Sequence, residues 1–593
     1  MAGIAALMAG LAHGPDAEAL DRVRMSVAGG DSALRNALGA ASLVVGAYGE
    51  KVADPHEIFG AALADYRTLV ETLYANGYYS GVVQIRIDGR EAADIALLEV
   101  PRRIGEVVIR VDPGPPFRFG AVEIGPAPRG AAGLDPPRPG ARARSTDIRD
   151  AVEDTVDAWR DAGHATAAPA GQSVVADHAA KVLSARVQID PGPQVRFGDL
   201  VLTGPSAVRA KRIERIAGFP SGAVFSPDAL RTVATRLRRT GAFSSVALSE
   251  PETLGSGDTM DIALSVVDEK PRRFGFGAEI ASFEGLRVSG FWLHRNFFGG
   301  AERFRFEAEV ENIGGQTGGI DYSAGVRLES PAAFGADTKG FALAEFEHLE
   351  EPDFRSDRMS FGFGAGRIFS DTLQAEAGVT FTYSETDDDL GAREFTLVSF
   401  PVSATWDRRD EALDPTSGTF LAAEVTPFWG VDGTASGVRA VLDGRAYRGF
   451  GTNDGVVVAG RLQVGSVSGA ALTEVHPDFL FYSGGGGTVR GQPYQSLNVD
   501  LGGGVETGGR SFVGLSGELR TGITDRIGAV AFVDAGYIGT ESFFDGSGEW
   551  HAGAGLGVRY KTTLGPIRFD VAAPVGGDTG DGVQLYLGIG QAF

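Results

Sequence analysis

The 593-residue chain contains no cysteine. That excludes disulfides, thiolate catalysis and cysteine-ligated zinc or iron–sulfur sites. It suits a chain that crosses an oxidising periplasm unpaired, although a cysteine-free cytosolic protein would look the same. A basic surplus is also missing. With 54 Lys and Arg against 77 Asp and Glu, the net charge is −23, and nucleic-acid binding would need a positive footprint. No apolar run approaches the roughly 18 residues that a transmembrane helix requires, so any passage through a membrane must be made by strands. The eight histidines include no pair at metal-ligand spacing, and no G-x-S-x-G nucleophile elbow is present. These absences predict a protein that is not an enzyme, with no catalytic, cofactor-binding or metal-binding residue.

Glycine and phenylalanine are abundant, at 86 and 36 residues, and the bias toward strand-forming residues is strongest in the second half. A chain this long exceeds one ordinary core, so several domains are expected. Residues 1–21 form a signal-like segment, apolar from Ala2 to about Ala12. It has the length of a signal-peptide hydrophobic region without the positive residues that precede one. Two readings stand: a signal whose true start lies upstream, or a frayed helix.

From residue 22 to about 270 one pattern occurs three times. Strands run into PGPPFRFG (113–120), PGPQVRFG (191–198) and EKPRRFG (269–275), so that Phe119, Phe197 and Phe274 recur about every 80 residues. Gly77, Gly163 and Gly241 keep the same rhythm, each after a segment of helical periodicity. Asp54-Pro55 and Ser226-Pro227 place a capping side chain before a proline at the first helical position, and Ser145, Thr146 or Asp147 offers a cap in the middle unit. Each unit therefore reads as strand, one or two helices, glycine and two strands. The predicted boundaries are 22–113, 114–192 and 193–269. Small α+β sheets of this kind leave an edge strand that can accept a strand from elsewhere. His164, at a helix–strand junction, reads as structural.

Beyond Arg273 the helical signal gives way to period-two alternation. In Arg303–Val310 (RFRFEAEV) every even position is apolar and every odd position charged. One such strand fits a soluble sandwich as well as a membrane barrel. About sixteen segments of roughly 8 to 12 residues between 273 and 593 favour the barrel, an even number that closes the sheet and leaves no edge in lipid. Glycine- and acid-rich stretches such as 384–391 and 311–319 read as loops between strands. The fold class is thus three α+β repeats followed by a 16-stranded transmembrane β-barrel at 270–593. In VQLYLGIGQAF, Val583, Leu585, Leu587, Ile589 and Phe593 share one face, which reads as the closing strand with Phe593 ending an assembly signal. Gly588 and Gly590 would weaken its pairing with the first strand near Gly277, as simple curvature or as a seam that opens.

The glycine-richest stretch, FYSGGGGTVRGQPYQSL (481–497), lies in a long insertion at 468–500. Strands flank it on both sides and no lysine is near, so it is not a phosphate loop. Its Arg490 needs a carboxylate or water around it.

Together these motifs resemble the BamA superfamily of outer-membrane assembly factors, whose repeats are POTRA domains. Arg295–Gly300 (RNFFGG) is similar to the family's early barrel turn. Asp407–Asp410 with Pro415–Gly418 is similar to its D-x-R-D…P-x-x-G hairpin. Val489-Arg490-Gly491 resembles its V-R-G-[FY] loop motif, with the aromatic displaced to Tyr494, and Phe532–Gly536 its F-x-D-x-G. Three repeats point within the superfamily to the TamA family of the translocation and assembly module. The resemblance implies an outer membrane of a Gram-negative bacterium with POTRA domains in the periplasm. It implies an inner-membrane-anchored TamB-like partner, autotransporter or other β-barrel clients, and outer-membrane lipid around the wall. It further implies that the loop folds into the barrel with Arg490 on Glu518 and Asp534. Residue parity agrees, because Val513, Leu515 and Leu519 share one phase and turn Glu518 inward, while Asp534 alternates with Val533 and Ala535. A solvated lumen would hold such a pair to about 1 kcal/mol or less. A two-partner-secretion-like export pore or a passive channel is the alternative function.

Overall fold

Three sequential modules precede a closed sheet. The computed structural model describes residues 20–591 except 132, 282–284, 317, 452–454, 564 and 581. Most of the signal-like segment and the terminal Phe593 thus lie outside the described residues. The chain divides into two compact units, one made of the first two modules with pieces of the third and the other of most of the third module and the barrel.

The first module runs strand Leu20–Val27, helices Ser32–Ala41, Leu43–Gly49 and Pro55–Ala75, then strands Val82–Ile87, Arg90–Glu91 and Ile104–Asp112. It has one helix more than the repeat pattern predicts. The extra short helix is held at its start by a buried carboxylate. Asp65 accepts from Ser42 Oγ at 2.6 Å and from the backbone N–H groups of Leu43 and Val44 at 2.7 and 3.2 Å, satisfying donors that would otherwise be orphaned. Asp54 caps the long helix as its Asp-Pro signature predicts, accepting from His56 N at 2.8 Å. In the second module, strand Arg118–Gly125, helix Ser145–Asp161 and strands Ala168–Asp177 and Val182–Asp190 form a sheet with Val182–Asp190 central. Its predicted cap fails: the helix begins at Ser145, and Arg144 stands in the cap position without a side-chain bond. The third module has strand Arg196–Thr203, helices Ala210–Ala217 and Pro227–Arg238, and strands Phe243–Ser249 and Thr259–Asp268. Gly77, Gly163 and Gly241 all sit at positive φ, the conformation that ends each helix at low steric cost. Phe119 and Phe197 are module core, 2% and 1% exposed, whereas Phe274 is 64% exposed on the first barrel strand. The third Phe-Gly copy is therefore barrel wall.

The barrel's sixteen strands, in order, are Arg272–Ala281, Gly285–His294, Arg303–Ile313, Asp321–Pro331, Thr338–Glu350, Phe354–Ile368, Leu373–Asp388, an eighth in two pieces, Gly418–Val431, Gly437–Phe450, Val456–Ser468, Ser511–Gly522, Ile527–Gly539, Glu549–Thr562, Gly565–Gly576 and Gln584–Ile589. The eighth comprises Gly391–Ser399 and Val402–Asp407. Pro401, which has no N–H to give a ladder, marks its break. Phe400 N still donates to Pro427 O at 2.8 Å, so the wall stays closed. The seventh strand runs through the acidic stretch read as a loop, to Asp388, and is 16 residues long. Hydrophobic alternation could not show this, because the inward residues there, Ser384 and Thr386, are polar yet buried beneath the inserted loop. The third strand likewise extends to Ile313, into the other predicted loop.

The closure is uneven. Ten residue pairs register the first strand on the second and six register the fifteenth on the sixteenth. Among the described residues, two pairs, Ile280–Leu587 and Ala281–Tyr586, join the first strand to the last. That register puts Gly588 beside Glu279 rather than Gly277. A side chain at Gly588 would approach Arg568 Nε and Glu279 Oε1 at 3.1 and 3.2 Å, so its bareness makes room for an Arg568–Glu279 ion pair.

The third module grips the barrel through arginines. Arg209 donates to Phe298 O at 2.5 Å and Arg212 to Pro331 O at 2.6 Å, so the RNFFGG turn is a docking surface. Arg236 and Arg239 both bind Asp337, at 2.5 and 2.7 Å, in the turn between the fourth and fifth strands. Hydrogen bonding from Arg236 and then Arg239 pulls the Asp337 carboxyl down to about 2. A depressed carboxyl stabilises above its ordinary value and loses that contribution as pH falls through its folded one. Hydrogen exchange in the turn between Pro331 and Thr338 is therefore expected to stay slow down to about pH 2. Asp337→Asn should make it fast at neutral pH.

Candidate functional site

The inserted segment spans 469–510, between strands ending at Ser468 and starting at Ser511, and so is longer than the predicted 468–500. It turns into the lumen because it carries its own apolar face. Leu472, Val475, Leu480, Phe481, Leu497 and Val499 are buried against wall residues that include Phe428, Val467, Phe512 and Ile538. Isolated bridges Phe481–Gly509 and Ser483–Leu497 zip its two limbs. At the tip Gly484 and Gly491 have φ of +121° and +94°. A Cβ on Gly484 would lie 2.0 Å from Pro493 O, so this turn is open to glycine alone.

The tip delivers Arg490 to the wall. Its Nε and Nη2 donate to Asp534 Oδ2 and Oδ1 at 2.7 and 3.1 Å, and Nη1 donates to Glu518 Oε1 at 2.7 Å. The backbone N–H of Arg490 also reaches Asp534 Oδ2, at 3.2 Å. Both receivers predicted from parity and resemblance thus meet the arginine. A third carboxylate joins them: Asp570 Oδ2 lies 3.4 Å from Nη1. Arg520 binds the far oxygen of Glu518 at 2.8 Å, and Arg559 pairs with Asp570. Three guanidinium groups and three carboxylates therefore balance. All six residues are buried, with the Arg490 side chain 3% exposed and Glu518 and Asp570 at 0%. The solvated, weak pair expected from the sequence is replaced by a dry network, in which removing one member strands the others.

Wall residues are cut to fit the tip, and this explains the spacing of F-x-D-x-G. Phe532, Asp534 and Gly536 are successive inward residues of one strand. The Phe532 ring lies 3.6 Å from Arg490 Cζ and stacks on its desolvated face, and Asp534 takes the fork. Gly536 clears space where a Cβ would meet Ser483 Oγ at 2.2 Å and Val489 Cγ2 at 2.9 Å. On the next strand a Cβ on Gly553 would stand 1.9 Å from Arg490 O. Gly553→Val is expected to expel the tip, and limited proteolysis within 484–495 should turn fast while the barrel itself remains folded.

Val489 is fully buried, and the Gly491 N–H donates to Tyr586 Oη at 3.1 Å. Gln492 ties the tip to Ala552 O and Gly576 O at 2.8 and 3.0 Å. The tip thus touches the twelfth to sixteenth strands, including Tyr586, a seam residue of the last strand. Tyr494 points elsewhere, its hydroxyl donating to Glu351 Oε1 at 3.0 Å. That shift follows from the two residues inserted after Gly491. Gly588 lies at the seam, as described, Gly590 has φ +94°, and Phe593 is outside the described residues. Sequence reasoning missed Asp570, Arg559, Arg520 and Gln492. Parity held a signal for the first, since Phe569 and Val571 are outward, 44% and 37% exposed, and force Asp570 inward. Among the described residues no His, Cys, Asp or Glu group is arranged to hold a metal ion.

A lumenal loop that carries a buried V-R-G onto an F-x-D-x-G strand agrees with a family match: the Omp85 superfamily domain matches residues 296–593. The chain belongs to the Omp85 superfamily. This Omp85 protein is 26% identical over 366 residues to the chloroplastic outer envelope protein 80 of Arabidopsis thaliana, covering 54% of this chain and 46% of that one. It therefore spans about half the length of that relative. Its fold is shared with BamA from Haemophilus ducreyi lacking POTRA domains 1–3, at a TM-score of 0.63 and 16% identity over 80% of this chain and all of that one. CdiB from Acinetobacter baumannii gives 0.52 and 11%, over 80% and 90%. The Omp85 barrel is thus an outer-membrane protein fold, preceded here by three POTRA-like modules.

Proposed function

We propose that this Omp85 protein is a TamA-like outer-membrane insertase for autotransporters and other β-barrel clients. The observation that carries the reading is the seam. Among the described residues two pairs are registered there, so residues 272–279 of the first strand take no ladder partner from the described part of the last strand, and an unpaired edge is a template for an incoming strand. Backbone hydrogen bonds can then be exchanged strand for strand, which calls for no nucleotide, metal or catalytic residue. The second module supplies a capture surface. Its edge strand Ala168–Asp177 is exposed along nearly its whole length, beside a groove of about 510 Å³ lined by Ile148, Val152, Val174, Leu183 and Val187. A strand added there would gain main-chain bonds and pockets for alternate side chains. A periplasmic placement of the modules lets this edge meet clients or a TamB-like, inner-membrane-anchored partner. A loop docked inside the barrel weighs against the alternative of a steadily open export pore.

The test is reconstitution. Vesicles carrying the full chain should convert an unfolded autotransporter barrel to its heat-modifiable, protease-resistant form faster than empty vesicles, with little steady conductance in planar bilayers. A large open conductance with no gain in client folding would favour the pore.

A further inference from the structure

We infer that the lipid-facing wall holds one glycerophospholipid of the module-side leaflet, its phosphate on Arg408 and an acyl chain in a groove across the eighth to thirteenth strands. This rests on the barrel's being an outer-membrane fold and not on the insertase reading.

The groove has a volume of about 1080 Å³. Strand register defines its floor. Arg408 N donates to Thr419 O at 2.8 Å. Thr419 then pairs with Ala446, Ala446 with Gly460, Gly460 with Gly517, and Gly517 with Val533. The adjoining outward row, Trp406, Leu421, Gly444, Leu462, Leu515 and Ala535, forms one side. Both rows face lipid, since the alternate residues Asp443, Arg445, Arg461, Glu518 and Asp534 carry the lumenal ion pairs. Trp406, Leu462 and Leu515 are 40%, 40% and 45% exposed.

Barrel geometry does not demand this bareness. A Cβ at Gly364 or Gly555 would meet backbone oxygen at 2.3 Å, so those glycines are forced. At Gly444, Gly460 and Gly517 the nearest atoms to an added Cβ are 3.6, 3.9 and 3.9 Å away. Side chains would fit there, and their absence leaves a trough. The floor row starts just past Asp407, the last residue of the eighth strand. Measured from the same ends of their strands, it is shallowest at Thr419, deeper and level at Ala446 and Gly460, and deeper again at Gly517 and Val533. That rim is the one carrying the third module. The trough therefore rises from the rim into the hydrocarbon, and five strand spacings of about 4.8 Å give it the reach of a long acyl chain.

Charge supplies the other half of the ligand. Asp407 takes both arms of Arg409, at 2.9 and 2.7 Å, on the lumen side. Its neighbour Arg408 points outward and is exposed, with its Cζ 5.7 Å from the Trp406 ring and no carboxylate partner among the described residues. A guanidinium at the membrane rim, beside an indole and at the foot of an apolar trough, matches a phosphate ester with its chain above. Lipids without a phosphate lack that pairing.

The full chain, purified in mild detergent and titrated with phosphatidylethanolamine, should retain one lipid per chain by native mass spectrometry. Arg408→Gln acts on the head and the double variant Gly460→Leu/Gly517→Leu on the tail, and each should weaken retention about tenfold or more. Diacylglycerol should bind the wild type as weakly as phosphatidylethanolamine binds Arg408→Gln. Heat-modifiable mobility and protection of 469–510 verify that both variants are folded, and Arg408, on the exposed rim, is not needed for closure. Equal retention by wild type and variants, or wild-type binding no tighter for the phospholipid than for diacylglycerol, would overturn the inference.

Discussion

Replacing Arg490 with alanine is expected to release the lumenal loop and lower client insertion more than it lowers barrel folding. The substitution leaves Glu518, Asp534 and Asp570 buried with only Arg520 and Arg559 between them. Breaking a buried ion network in this way costs about 3–5 kcal/mol, and the stacking on Phe532 is lost as well. Sixteen strands of backbone ladder remain untouched, so the barrel should still show heat-modifiable mobility. What fails is the docking of residues 484–495. Broad-specificity proteases should then cut within that stretch in intact membranes, where the wild type resists; trypsin would not report it, because Arg490 is the only basic residue there. Arg490→Lys keeps the charge but cannot fork onto Asp534 or lie flat on the ring, and should fall between. In Arg490→Ala/Asp534→Asn one stranded charge is removed, so the double variant should recover part of the single variant's loss, the coupling expected of contacting residues. Unchanged protease patterns together with unchanged insertion in Arg490→Ala would sink the idea that the tip acts as a pin.

The receivers were legible because a strand has only two faces. Leu515 and Leu519 must meet lipid, which fixes Glu518 inward, and Val533 with Ala535 does the same for Asp534. Parity cannot say what stands opposite across the lumen, so the sequence did not reveal that Arg490 also meets Asp570, 80 residues away. Nor did it reveal that the site is dry. Burial there comes from the Leu472–Val499 stretch packing on wall residues far away in sequence, and composition suggested a wet lumen. The sixteen-strand count survived two errors of boundary, at Ser384–Gly391 and 311–319, since polar inward residues under a loop look like loop. The additional helix Leu43–Gly49 has a local cap, Ser42 Oγ accepting from Val45 N at 3.2 Å, but the carboxylate that holds its start, Asp65, comes from the following helix.

A disulfide across the seam is expected to abolish client insertion reversibly. Ile280 and Leu587 are directly opposed in register and both outward, 47% and 42% exposed. Cβ atoms of opposed residues in an antiparallel pair lie about 4.5–5.5 Å apart, close enough for a disulfide after slight adjustment. The chain has no native cysteine, so an Ile280→Cys/Leu587→Cys variant has no competing thiol. Oxidised, it should fold and keep its loop protected, yet insert no client; a reductant should restore the wild-type rate. A matching pair at Ala344 and Phe361, in a fully laddered part of the wall, should have no effect in either state. Full insertion by the oxidised seam variant would reject templating at this edge and move attention to the modules. The seam and the pin also share a residue. Tyr586 faces Ala281 across the seam while its hydroxyl accepts from the Gly491 N–H at the loop tip, and Phe532, which carries the Arg490 guanidinium, packs in the same inner cluster with Ala572 and Tyr586. Undocking the tip therefore removes a brace from one of the two pairs registered among the described residues. In an Arg490→Ala background the cysteine pair should cross-link more slowly and less completely than with Arg490 present, because the two strands spend less time in register.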